Sequence, residues 1–485
     1  MFSKNVRRDL AAPLVLAGIF ILSRFLYSRA GMRFDADTII RTWHFIDIYL
    51  LKNDLWRSIF YLHTQPPLMN LLTGIGLQLF PKSYASIFHA FFLLGGFLVT
   101  LAIYYLGNRL GFPKCLSTIL AIWFAISPPT VVYENYYFYT YPTTILLTLS
   151  AVFLVRFLEK KRPSDGLLFS LTLAANALTW SLFHLVWLLG CFGIVAYLLK
   201  EHRRKALWLV PAFVLVFAWY AKNGILYDSF TASTWAGLNL FKTVTIKIPS
   251  KVSKQWVKEG FVSKLALVAP YRSPDVYLKY FPDTPITGIP LLDDINMSNG
   301  YRNQHHLSYV YAGKRYLTDS VRIIIHSPGY YLRTISYSLY IYLHSASDYK
   351  TTYDIRAPID GMDTWWNRIF YGQWQKDETL AERASTFLPD HLAWWLVIGF
   401  LMVMIVTPVY LWRQRTCSER LEYGLILFMF WNILFVSAAG ILLDIGENNR
   451  TRFGIDPFIL LLDVFFVLRV IEQIRRKSKE PLISE

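Results

Sequence analysis

Long apolar blocks alternate with short polar connections along almost the whole chain. Ten of them, at 12–27, 84–107, 116–128, 141–158, 166–180, 182–199, 206–226, 392–412, 421–444 and 453–470, approach the length of about 20 residues that a helix needs to cross a bilayer. The first is read as an uncleaved helix, because no small-residue cleavage site closes it and Arg24 interrupts its end. Two further apolar stretches read differently. Residues 66–80 open with Pro66-Pro67, and counting them as a span would put every later basic loop on the wrong face; they are expected to lie along the outer interface. Residues 330–343, with Arg333 and many tyrosines, suit the same position.

Composition agrees that lipid is the solvent: 54% of the 485 residues are hydrophobic and only 17% charged. Basic residues fall on every second connection, at Lys4, Arg7 and Arg8, Arg109 and Lys114, Lys160 to Arg162, Arg203 to Lys205, Arg413 and Arg415, and Arg475 to Lys477 with Lys479. The positive-inside rule puts those connections and both termini in the cytoplasm. The formal net charge of +16 then reports topology and anionic headgroups, with no nucleic acid as partner. Cys115 and Cys417 fall near the cytoplasmic face and Cys191 inside a helix, so no exterior disulfide is expected. No internal repeat or Gly/Ser linker interrupts the chain. The fold expected is an all-α polytopic membrane protein of about ten transmembrane helices. An N-terminal transmembrane module (1–226) carries a first exterior loop at 29–83; an exterior domain, mainly α or α+β, spans 227–391; a C-terminal transmembrane module with a basic tail follows at 392–485.

Candidate chemistry gathers on the exterior face. Asp35-Ala36-Asp37 follows the first helix directly, and in extended backbone residues i and i+2 point the same way, toward one substrate hydroxyl or one cation. The plain alternative is a solvated pair beside Arg33 and Arg41. In His63-Thr64-Gln65-Pro66-Pro67 the prolines stiffen a helix start and hold His63 and Gln65 just outside lipid, where they either orient a polar substrate or serve as interface residues. Glu134 stands in an aromatic run, Tyr133 to Tyr141, that suits both sugar stacking and an interfacial belt. Gly446-Glu447-Asn448-Asn449-Arg450-Thr451-Arg452 lies at the outer mouth of the last helix. Its two guanidiniums suit a phosphate, with snorkelling anchors as the alternative. His305-His306 lacks the further ligands a zinc site needs, and no Walker, dinucleotide or Ser-elbow motif is present.

Taken in order, these elements resemble the GT-C superfamily of membrane glycosyltransferases, in the branch of dolichyl-phosphate-mannose protein mannosyltransferases and the lipid A aminoarabinose transferase. Asp35-Ala36-Asp37 is similar to the family's acidic motif after the first helix, although that motif is often an adjacent Asp-Glu pair. The stretches from His63 to Leu68, Tyr133-Glu134 and Gly446 to Pro457 resemble its other exterior elements. The resemblance implies an inverting transfer of a sugar from a polyprenyl-phosphate donor to a hydroxyl on a protein, lipid or glycan acceptor. Asp35 or Asp37 would be the base and Arg450 and Arg452 the phosphate ligands; His63, Gln65, Glu134 and Glu447 would contact substrate, with Mg or Mn an optional cofactor. A bacterial inner membrane is the expected location, the endoplasmic reticulum the alternative. Two other functions fit the same composition: a transporter or flippase of lipid-linked sugars or small polar solutes, and a ligase or polymerase of lipid-linked glycans.

Overall fold

The computed structural model describes residues 4–375, 389–417 and 421–477. Helices occupy all ten apolar blocks. Among the described residues six are long and apolar enough to cross a membrane: Ala11–Arg29, Tyr84–Arg109, Thr140–Lys160, Arg204–Tyr227, Trp394–Arg413 and Leu421–Leu442. A seventh arises if Lys114–Ile126 and Pro128–Glu134, bent by 56°, form one span. That bend has a local cause: Ser127 is extended and Pro128 and Pro129, which have no amide hydrogen to give, begin the second piece. The count of about ten is not confirmed by length and composition, because Pro163–Thr179 has 17 residues, Leu185–Leu198 has 14, and Asp456–Lys477 carries Asp463, Arg469 and Glu472 among its apolar residues. The stretches expected at the interface form the helices Leu68–Leu79 and Pro328–Tyr342, of 12 and 15 residues.

The described part of the region expected to be exterior is helical. Among the described residues there is no strand, only the isolated bridges Asp35–Tyr136 and Asn296–Arg302, so the α+β option for 227–391 gives way to helix. Trp235, Leu238, Phe241, Trp256, Tyr277 and Tyr316 form a core there that is separate from the large core shared by the membrane helices. The helices Ala236–Thr245 and Ser308–His326 cross at Gly237 and Gly313, where a Cβ on Gly237 would overlap the Gly313 carbonyl. At the other end of the bundle Arg109 pairs with Glu159, and Lys205 donates to the Lys161 carbonyl (3.4 Å), which brings three of the basic connections together.

One ion pair ties the first helix to the bundle. Arg24 meets Glu134 in a two-bond fork, Nε to Oε1 and Nη2 to Oε2, both 2.8 Å, and its Nη1 donates to the Ala125 carbonyl at 2.7 Å. Glu134 is fully buried and also accepts from the Tyr141 hydroxyl at 2.9 Å. Gly96 makes the room: any Cβ there would overlap both the carboxylate and that hydroxyl. Arg24→Ala would strand a carboxylate in a low-dielectric site, a loss of about 3–5 kcal/mol. Thermal unfolding in detergent should show that loss in Arg24→Ala and a smaller one in the Arg24→Met/Glu134→Met double variant; a double variant as weak as the single one would show that the charge is not what matters.

Candidate functional site

The end of the bundle expected to face outward is organised by the turn at 444–453. Gly446 adopts φ +100°, a left-handed conformation that glycine takes without strain, and the chain then enters the short helix Asn448–Phe453. Every polar side chain of that helix is buried. Asn448 donates to the Gly440 and Asp444 carbonyls (2.7 and 3.0 Å) and Asn449 to the Ser345 carbonyl (2.9 Å). Arg452 donates to the Tyr342 and His344 carbonyls and pairs with Asp456 at 3.0 Å. Lys242 adds a bond from the exterior region to the Ile445 carbonyl, 2.7 Å.

Arg450 faces the other way. Two residues apart on a helix are about 200° apart in direction, so the two arginines expected to share one phosphate diverge. Arg450 is 1% exposed and lies in an aromatic cage, its guanidinium carbon 4.9 to 5.2 Å from the ring centroids of Phe138, Tyr139, Trp180 and Tyr349. It donates to Thr140 Oγ1 (2.9 Å) and the Tyr139 hydroxyl (3.2 Å), and pairs with Glu447. Its Nε–H has no partner among the described residues. Glu447 retains 26% side-chain exposure and accepts from the Tyr349 hydroxyl at 3.1 Å. Burial alone would push its carboxyl up, but the Arg450 guanidinium, with His44 and Lys242 beyond, holds it at about 2.

Asp35 approaches this cage along the aromatic run. Its N–H donates to the Asn135 carbonyl (2.8 Å) and its own carbonyl accepts from the Tyr137 N–H (3.1 Å), so the acidic loop and the run are joined by backbone. The Tyr136 ring lies 5.4 Å from Phe138, which Arg450 covers, and its hydroxyl donates to Thr351. The acidic loop is thus joined by backbone to the run whose Phe138 and Tyr139 rings wall in Arg450. Asp37 does not share the direction expected of it, because the chain turns there into the Thr38–Arg41 helix (φ −69°, ψ −10°). Asp35 accepts from the Asp37 N–H at 3.0 Å and pairs with Arg41, while Asp37 stands exposed. Burial lifts the Asp35 carboxyl above its ordinary range even with Arg41 beside it.

The remaining candidates lie elsewhere. His63 is fully buried, its ring nitrogens bonded to Thr234 Oγ1 (2.7 Å) and the His305 carbonyl (2.8 Å), and the His305 ring in turn reaches Thr64 and the Phe45 carbonyl (3.0 Å). This cluster clamps the first exterior loop to residues 233–235 and 303–306. Gln65 beside it is 7% exposed, with Oε1 unpartnered among the described residues. Glu134 is occupied by Arg24. Among the described residues no three His, Cys, Asp or Glu side chains converge as metal ligands. Asp35 and Asp37 could supply two carboxylates to Mg or Mn, but Asp35 has both oxygens engaged, so the pair as placed is not a prepared cation site.

Several residues of the site gave no sequence signal. Trp180, Tyr349 and His44 reach it only through long-range packing, with His44 edge-on to Phe138, Tyr139 and Trp235. Tyr271 carries φ +63°, a strained backbone for a bulky residue, and stacks on Trp43 with centroids 6.1 Å apart.

Fold and site together define an all-helical polytopic membrane protein with a polar, aromatic-lined site at one end of its bundle. No protein-family model matches the chain, and no curated protein sequence does. Among solved structures it loosely resembles the archaeal oligosaccharyltransferase AglB from Archaeoglobus fulgidus, in complex with an inhibitory peptide and a dolichol-phosphate. The TM-score is 0.33 and the identity 10%, over 97% of this chain and 52% of that one. The chain thus spans about half that protein's length, and a likeness of this degree says nothing of substrate.

Burial holds the His63 and His305 imidazoles at about 3 and about 4, below the value of roughly 6.5 for an unfolded chain. They are neutral in the fold, so as pH falls below about 6.5 the unfolded chain takes up protons that the fold refuses, removing about 1.4 kcal/mol per pH unit for each histidine. The melting temperature should fall between pH 7 and pH 5, less steeply in His63→Gln. Equal slopes in the two proteins would contradict the assignment.

Proposed function

We propose that this protein is an inverting glycosyltransferase that moves a sugar from a polyprenyl-phosphate donor to an acceptor hydroxyl at the outer face of a bacterial inner membrane. The observation that carries the reading is Arg450, a buried guanidinium with one N–H unpartnered among the described residues, caged by an aromatic run whose backbone is bonded to half-buried Asp35.

In the reaction the acceptor oxygen bonds to the anomeric carbon and its proton passes to Asp35. The carbon–oxygen bond to the phosphate breaks, its electron pair leaving with the lipid phosphate, which gains one negative charge. Arg450 is fixed where that charge grows, in a site of low dielectric, and so favours the transition state over the ground state. Glu447 holds Arg450 until donor phosphate takes its place. Asp35 suits the base better than Asp37, because burial raises its affinity for a proton and it is bonded through its backbone to the aromatic run that walls the cage. Mg or Mn would need Arg41 displaced from Asp35, and no step is assigned to it. Transport would draw on charged groups inside the bundle, yet the Arg24–Glu134 pair is closed on itself and on Ala125 and Tyr141.

The test is turnover and donor binding in purified protein supplied with polyprenyl-phosphate sugars. Asp35→Asn should lower turnover by about 10²-fold or more with donor binding retained, and Asp37→Asn should do less. Arg450→Ala should weaken donor binding and rate together, because the ground-state phosphate is already charged. In the wild type the acid limb of the rate profile should lie above the ordinary aspartate value, since the base is lost as pH falls through a raised pKa. Full turnover in both aspartate variants would overturn the proposal.

A further inference from the structure

The end of the bundle opposite Glu447 holds a second site. There the Trp394–Arg413 helix ends, the Leu421–Leu442 helix begins and the last turns of Asp456–Lys477 pass between them, leaving a cavity of about 490 Å³. Its walls are apolar, Met402, Val406 and Val409 on one helix and Phe466 and Val470 on another, and its rim is polar, with Arg413, Arg469 and Arg476 beside Glu422 and Glu472.

The charges on that rim are not equivalent. Arg469 is neutralised internally: its Nη2 reaches both Glu422 oxygens at 2.9 Å and its Nη1 reaches Glu472 at 3.4 Å. Glu422 also accepts from Tyr410. Both acids are therefore engaged, whereas Arg413 and Arg476 are exposed and have no hydrogen-bond or ion-pair partner among the described residues. Two uncommitted guanidiniums crown a groove whose walls turn apolar within two helical turns, from Arg413 through Val409 to Val406. Val406 and Val409 are exposed, as suits side chains that face lipid.

We propose that this groove seats one anionic glycerophospholipid, its phosphodiester held by Arg413 and Arg476 and its acyl chains lying against Val406, Val409 and Phe466. Charge selects the occupant: three arginines face two glutamates on the rim, a net positive charge that favours a net anion over a zwitterion, and a free phosphate has no use for the apolar wall. The seat is independent of the transfer chemistry at the other end.

The full chain, purified in detergent with dioleoyl-phosphatidylglycerol or dioleoyl-phosphatidylcholine and examined by native mass spectrometry, tests this. Phosphatidylglycerol should stay bound where phosphatidylcholine does not, and inorganic phosphate should not displace it. With about 1 kcal/mol from each arginine, the Arg413→Gln/Arg476→Gln variant should hold phosphatidylglycerol roughly 30-fold more weakly. Val406→Trp, which fills the groove and keeps both arginines, should also release the lipid, and serves if the double variant does not fold. Retention unchanged in whichever of these variants is folded, equal retention of phosphatidylcholine, or displacement by inorganic phosphate would each overturn the proposal.

Discussion

The structure turns on satisfying buried polar groups at helix ends. A helix finishes with carbonyls that lack partners, and near a bilayer such groups are costly to leave bare. The Asn448–Phe453 helix resolves this for its neighbours at once. Asn448 serves carbonyls at the end of Leu421–Leu442, and Arg452 serves those that close Pro328–Tyr342. Asn449 reaches Ser345 in the chain beyond. With one face of the short helix fixed in this way, Arg450 on the opposite face is aimed by default. The caged guanidinium is thus a by-product of how this end of the bundle is closed.

The aromatic run from Tyr136 to Tyr139 connects that cage to the acidic loop. Its backbone bonds to Asp35, while its side chains wall in Arg450. A short segment with two such jobs cannot be displaced at one end without the other. The Arg24–Glu134 pair pins the same region, since Glu134 lies two residues before the run and Tyr141, which donates to it, two residues after.

Much of this was legible in the sequence, and the failures have physical causes. The apolar blocks became helices because hydrophobic length alone decides them, but spanning depends on length within each helix, which the breaks at Trp180 and Ser127 shorten. The polar turn at 446–452 was visible as a cluster of charge in an apolar neighbourhood. That Arg450 and Arg452 part company follows only once the segment is known to be helical. Asp35 and Asp37 were expected to point together on the premise of extended backbone, and the turn at Asp37 removes that premise. His63 and Glu134 stood out as polar residues beside lipid, yet their partners lie 171 and 110 positions away along the chain, a separation that local pattern does not carry. Trp180 and Tyr349 were invisible for the same reason.

The contact between Glu447 and Arg450 sets the scale on which the site recognises anything. A guanidinium kept bare in so dry a place would bind any small anion that wandered in, and would be slow to let it go. Here a resident carboxylate already occupies it, so a newcomer is judged against that carboxylate and not against water. Under the proposed function the pair works as a built-in competitor, filtering out weak anions and returning when a product leaves.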